Sequence, residues 1–179
     1  MTATQQDDVN ARAARVRLMI FDIDGVMTDG SLHYMADGEA IKTFHVHDGL
    51  GIKLLQQSGI PTAIITARQS EIIARRAKDL GIEHVMQGVH DKRAGFETLL
   101  AKTGVTANTC GFLGDDWIDL PVLTRVGFAA SVPNGRAEVR ERVHYVTQAR
   151  GGHGAVRELC ELIMRAQDKY EATLAAYLT

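Results

Sequence analysis

The sequence predicts an α/β fold: a Rossmann-like parallel sheet with helices on both faces and a protruding β-hairpin. Three observations predict it. Short apolar runs such as Leu18-Met19-Ile20 and Ala63-Ile64-Ile65 recur along the chain, and uninterrupted apolar strands are typical of sheets buried on both faces. Helical segments alternate with these runs, as parallel pairing requires. Acidic and hydroxyl side chains stand at the ends of several strands, where open α/β sheets bind ligands.

The first strand is Val16 to Asp22. Ser31 to Val46 reads as a hairpin: Leu32 to Met35 leads into the turn Ala36-Asp37-Gly38-Glu39, and Ile41 to Val46 returns. Asp48 is placed to cap a helix from Gly49 to Gln57, which stops at Ser58-Gly59. Pro61 to Thr66 is the next buried strand, followed by a helix from Ser70 to Leu80 with Gly81 after its end. His84 to Met86 is a short strand, and Asp91 caps a helix from Lys92 to Lys102. Thr109 to Leu113 is a strand leading into Gly114-Asp115-Asp116. A helix from Ile118 to Arg125 accepts Pro121 in its first turn. Phe128 to Val132, a short helix from Arg136 to Arg142, a sixth strand at Tyr145-Val146 and a last helix to Tyr177 complete the chain.

Composition excludes several classes. The 179 residues suffice for one buried domain, and 45% hydrophobic with 23% charged residues is the balance of a soluble globule. A net charge of -2, with no basic run beyond Arg75-Arg76-Lys78 on a predicted helix, gives no sign of a nucleic-acid partner. No apolar stretch approaches the roughly 20 residues of a membrane span. Cys110 and Cys160 lie far apart in no metal-ligand pattern, which favours a reducing, cytoplasmic setting. Met1 to Asn10 lacks the apolar core of a signal peptide. Residues 1–14 read as a disordered tail, and 15–179 as a single domain without linkers or repeats.

The chemistry concentrates in Phe21-Asp22-Ile23-Asp24-Gly25. Residues two apart on an extended strand face the same way, so Asp22 and Asp24 reach one spot. Gly25 and Gly30 free the backbone to turn there. Converging carboxylates repel unless a cation or a shared proton intervenes. Thr66 ends the second strand of the sheet, Lys92 opens the helix after the third, and Asp115 follows the fourth, all on one sheet edge. Each singly has a plain explanation as a turn, a cap or a solvated residue. In this order they suit phosphoryl transfer, which is largely positioning and charge stabilisation. Lys92 and Thr66 would hold the phosphate. Asp22, Asp115 and a backbone carbonyl at Asp24 offer oxygen ligands to Mg²⁺, with Asp119 placed to orient a coordinated water. Asp22 as nucleophile would make an acyl phosphate, and Asp24 would act as general acid and base.

These motifs resemble the haloacid dehalogenase superfamily, which carries Asp-x-Asp-Gly-Val-x-Thr, then Thr, then Lys, then Gly-Asp-Asp-x-x-Asp. More narrowly, Asp22 to Gly30, Phe44-His45-Val46-His47-Asp48-Gly49, Ile64-Ile65-Thr66-Ala67-Arg68, Gly114 to Val122 and Gly151 to Glu158 are similar to phosphatases of 3-deoxy-D-manno-octulosonate (KDO) 8-phosphate. The resemblance covers roughly Val16 to Gln167. It implies Asp22 as nucleophile, Asp24 as acid/base, Mg²⁺ on Asp22, Asp24 and Asp115, and phosphate on Thr66 and Lys92. It further implies substrate contacts from Asp24, from His45, Val46, His47, Asp48 and Gly49, and from Arg68 and Arg76. Lys53 stands where the family often has Arg, and an ammonium cannot form a bidentate fork on a carboxylate. Ala67 replaces a frequent Gly.

Two other functions fit parts of the pattern. A nonulosonate-type or other acidic sugar phosphate would suit the same basic residues. A phospho-receiver module also uses acidic residues, a Thr and a Lys, but here no Asp ends the third strand of the sheet. Dehalogenation leaves Asp24 without a task. His45 and His47 face one side if extended, where a solvated hairpin end competes with metal binding. His84, His90 and His144 read as structural, and Trp117 as packing. The glycine-rich Arg150 to Gly154 suits either a lid or a plain loop. Family members with a cap insert it in one of two gaps, and neither gap here has room for one. An open site and an apolar hairpin together predict a homo-oligomer, most simply a tetramer, in which Arg76 or the loop around His153 reaches the neighbouring pocket.

Overall fold

The computed structural model describes residues 3–36 and 38–178. Six parallel strands form one sheet: β1 (Leu18–Phe21), β4 (Thr62–Ile65), β5 (His84–Met86), β6 (Cys110–Leu113), β7 (Phe128–Ser131) and β8 (Tyr145–Val146), in the order β5-β4-β1-β6-β7-β8. The chain adds strands on one side of β1 and then crosses to the other, so the order reverses beside β1. In-register pairs such as Met19 with Thr62 and Ile20 with Phe112 place the ends of β1, β4 and β6 side by side.

The sheet separates two cores. Met19 and Phe21 of β1 join Ile52 and Leu55 of α2 (Val46–Gln57), Ile73 and Ala77 of α3 (Glu71–Leu80), and Leu159 and Ile163 of α7 (Ala155–Ala166). Leu18 and Ile20 point the other way, to Phe96 and Leu99 of α4 (Lys92–Thr103), Val122 of α5 (Leu120–Leu123) and Val139 of α6 (Ala137–Arg140). Alternate residues of one strand thus serve opposite faces. The fold class predicted from the sequence is the one observed.

Four local readings need correction. Residues 3–13, expected within a disordered tail, form helix α1 (Ala3–Ala13), because Val9 and Ala13 have apolar surface to bury in the first core. The hairpin's return strand, expected to reach Val46, ends early: β2 (His33–Met35) pairs antiparallel with β3 (Gly38–Ile41), with a register shift at His33/Tyr34. Asp37 of the expected turn lies outside the described residues. Helix α2 begins at Val46 rather than Gly49, and Asp48 sits inside its first turn instead of capping it. The last helix breaks after α7 at Gln167-Asp168-Lys169, with Asp168 at φ 56°, and resumes as α8 (Tyr170–Ala175). No helix among the described residues is long and apolar enough to cross a membrane.

Candidate active site

The site lies where β1, β4 and β6 end. Asp22 follows β1 directly, and its backbone N–H donates to Leu113 O at 3.0 Å, which ties it to the end of β6. Lys92 opens α4 and is buried. Its Nζ lies 2.9 Å from Asp22 Oδ1 and 2.5 Å from Asp119 Oδ1. Burial alone would lower the Lys92 pKa, but the Asp22 and Asp119 carboxylates outweigh it and raise the value. A cation thus stays charged in an apolar place because two anions face it.

Asp119 spends both oxygens inside the protein. Oδ1 meets Lys92, and Oδ2 accepts from the backbone N–H groups of Asp115 (2.9 Å) and Asp116 (3.2 Å). Its carboxyl therefore fixes the turn carrying Asp115, and Gly114 is required beside it because a Cβ there would fall 2.6 Å from Asp119 Cγ. Asp115 differs: its Oδ1 is buried with no hydrogen-bond partner among the described residues. Its pKa is pushed up to about 8, chiefly by burial and then by the charges of Asp22, Asp119 and Asp116. Asp22 is pushed up to about 7 by burial and by Asp119, against the pull of Lys92. Gly25, at φ +87°, lets the backbone pass over Asp115, where a Cβ would stand 2.1 Å from Oδ2.

Carboxylate oxygens of Asp22, Asp115 and Asp119 lie within 4.8 Å of one another, a spacing that suits one cation. Asp119 is already occupied by three donors, so the oxygens that fit a divalent ion are those of Asp22 and Asp115. The orphaned buried Asp115 Oδ1 is the observation behind that fit, since a buried anion without a partner is costly. Hard oxygen donors of this kind suit Mg²⁺.

Asp24 stands at the rim. Lys42 Nζ lies 2.5 Å from its Oδ1 and Arg68 Nε lies 3.3 Å from its Oδ2. Asp22, Asp24, Thr66, Arg68 and Asp115 line one cleft of about 350 Å³, together with Ala67, His90, Asp116 and Ile118. The spatial convergence read from the sequence is present for these residues, with Lys92 held against Asp22.

The other predicted contacts gather elsewhere, and none lines this cleft. His45 is the residue before α2, and its ring meets that of His47 edge-on at 5.0 Å, a consequence of the helix starting at Val46. Val46 is exposed, as is Lys53 on the outer face of α2. Arg76 Nη2 donates to His45 O at 3.4 Å, its guanidinium stacks 5.4 Å from the Phe44 ring, and Gly49 lies against it. Asp48 is buried, accepting from Arg157 N (2.8 Å) and Gly154 N (3.3 Å) at the start of α7.

Sequence reasoning missed Lys42 and read His90 as structural, whereas His90 is exposed and lines the cleft. No spacing rule singles out one Lys just after a short strand or one His in a loop. His144 is structural as expected: Nδ1 accepts from Ala129 N at 2.9 Å. The glycine-rich loop packs on the turn after β1, with Gly152 N donating to Val26 O at 2.9 Å.

A doubly wound sheet with a buried carboxylate–lysine pair at its switch point defines a haloacid dehalogenase-like hydrolase, and the profile of that family matches residues 81–159. The 3-deoxy-D-manno-octulosonate 8-phosphate phosphatase of Yersinia pestis is 46% identical over 165 residues, covering 92% of this chain and 88% of that one. The Moraxella catarrhalis phosphatase of the same name, solved with magnesium, phosphate and KDO, is 43% identical with a TM-score of 0.93, covering 96% of this chain and 98% of that one. The cobalt-bound Haemophilus influenzae enzyme is 40% identical with a TM-score of 0.90, covering 94% and 99%. This chain belongs to the family of 3-deoxy-D-manno-octulosonate 8-phosphate phosphatases.

Proposed function

We propose that this protein is a Mg²⁺-dependent phosphatase that hydrolyses KDO 8-phosphate to KDO and inorganic phosphate, in the synthesis of lipopolysaccharide precursors. The observation that carries the chemistry is the convergence of Asp22, Asp24, Thr66 and Asp115 on one cleft, with Lys92 against Asp22. The family carries the substrate.

Asp22 attacks phosphorus, and an acyl phosphate forms on its carboxylate. Asp24 gives a proton to the departing sugar oxygen and later takes one from the water that hydrolyses the intermediate. Lys92 keeps two of its N–H donors on carboxylates and presents the remaining one, with the Thr66 hydroxyl, to phosphoryl oxygens. Asp22, the Asp24 carbonyl and Asp115 would hold Mg²⁺, which neutralises charge so that carboxylate and phosphate can approach. Arg68, at the cleft wall, is placed to meet the sugar carboxylate.

The remaining reading concerns assembly. The hairpin and its flanks expose Leu32, Tyr34, Ile41 and Val46, the last at 75%. A two-stranded ribbon is marginal by itself in water, and this apolar surface supports a homo-oligomer, a tetramer by family resemblance, in which one subunit completes the next one's pocket. Arg76, away from its own cleft, fits such a contribution across subunits. Both cysteines are buried and unpaired, which supports a reducing cytoplasm.

Phosphate release should be measured over KDO 8-phosphate, a nonulosonate 9-phosphate and a neutral hexose phosphate, each with and without Mg²⁺. KDO 8-phosphate should give the highest kcat/KM, and chelation should remove the activity. Equal or better kcat/KM on the neutral hexose phosphate would refute the substrate assignment. Light scattering at micromolar concentration tests the assembly, and a fully active monomer would confine the hairpin to its own chain.

A further inference from the structure

We infer that Lys42 is a positioning residue for Asp24, and that the hairpin thereby belongs to the catalytic apparatus of its own chain. The inference rests on the acid/base reading of Asp24. Lys42 is the first residue after β3, two residues before the Phe44 to Gly49 motif and outside it. Its side chain is 1% exposed, and Nζ lies 2.5 Å from Asp24 Oδ1. Lysine is almost never buried to this extent unless paired, and the Asp24 carboxylate is a partner that Lys42 meets directly.

The two oxygens of Asp24 are held unequally. Oδ1 meets a buried ammonium at 2.5 Å, whereas Oδ2 faces the half-exposed Arg68 Nε at 3.3 Å. The first contact fixes rotation of the carboxyl group, and the looser second leaves Oδ2 as the oxygen that can exchange its partner for the leaving-group oxygen. A small misplacement of a reacting group costs rate steeply. The hairpin makes a second link to the same corner: Arg68 Nη1 donates to the Tyr34 hydroxyl at 3.2 Å. One strand of the ribbon thus leads to Lys42 and the other to Arg68. Both described residues that pair with the Asp24 carboxyl are tied to the hairpin.

The test compares two leaving groups. A sugar phosphate departs as an alkoxide and needs a proton, whereas p-nitrophenolate departs without one. The readout is the ratio of kcat on KDO 8-phosphate to kcat on p-nitrophenyl phosphate. Lys42→Met should lower that ratio by about tenfold or more, within the roughly 10²–10⁴ that acid–base help is worth. Lys42→Arg keeps the charge but cannot place a single compact donor at the same point, and should lower the ratio less. Should the Met variant fail to fold by circular dichroism, the Arg variant carries the same test. Asp24→Asn is the reference and should lower the ratio most. An unchanged ratio in Asp24→Asn would overturn the acid/base reading itself. A lowered ratio there with an unchanged ratio in the Lys42 variants, or a Lys42 effect confined to KM for the sugar phosphate, would overturn this inference alone.

Discussion

Asp48 and Asp115 are both acidic residues drawn into the protein, yet their surroundings are opposite. Asp48 receives two backbone N–H groups from the first turn of α7, and burial still lifts its pKa despite them. Asp115 has a buried oxygen with no partner and three like charges nearby. The first carboxylate is satisfied and caps a helix, where a negative charge also suits the helix dipole. The second lacks a partner within the described residues and is suited to receive one from outside. Burial alone does not mark a functional acid; the state of its oxygens does.

The largest effect expected from breaking this contrast is at Asp22. Asp22→Asn should abolish phosphate release while the far-ultraviolet circular dichroism stays native, because no other group can form the acyl phosphate. Wild-type-like turnover by the purified variant would remove the mechanism.

Metal linkage comes next. Saturating Mg²⁺, at about a hundred times its Kd, should stabilise the wild-type fold by about 2.7 kcal/mol. Asp115→Asn should lose most of that gain yet raise the melting temperature of the metal-free protein, since it removes a charge from a repelling cluster. A variant with undiminished Mg²⁺ stabilisation would show that the ion sits elsewhere.

Asp48→Ala sharpens the other side. It leaves two backbone donors at the start of α7 without their acceptor, at a cost of roughly 1–3 kcal/mol in urea unfolding. The loss should be the same with and without Mg²⁺. A loss that depends on Mg²⁺ would couple Asp48 to the cleft.

The same cluster can be probed through the pH dependence of the metal-free protein. Asp22 and Asp115 titrate from 3.8 when unfolded to about 7 and about 8 when folded. Between those values the native state holds more protons than the unfolded state, so stability falls as pH rises from 3.8 to about 8 and then levels. Urea midpoints across that range should show the decline, and Mg²⁺ should flatten it. Midpoints that rise with pH would contradict the electrostatics of the cluster.

The sequence by itself determined the alternation of strands and helices, because apolar runs and caps such as Ser70, Asp91 and Gly81 act locally. It also determined Asp22, Asp24, Thr66, Lys92 and Asp115 as one group, because each stands at a strand end or helix start and the doubly wound topology brings those ends together. The tertiary structure alone decided the rest. The partners of Asp48 lie 106 and 109 residues away, and a contact at that range leaves no periodic trace. Helix α1 exists because Val9 and Ala13 find a core built by distant segments, not because its own sequence is strongly amphipathic. Lys42 reaches Asp24 only because a short ribbon ends where it does, and Asp119 binds Lys92 only because α4 packs against α5 and the turn that leads into it. Local propensity and spacing are written along the chain. The pairing of buried charges is set by which chain segments the packed sheet brings within hydrogen-bond distance.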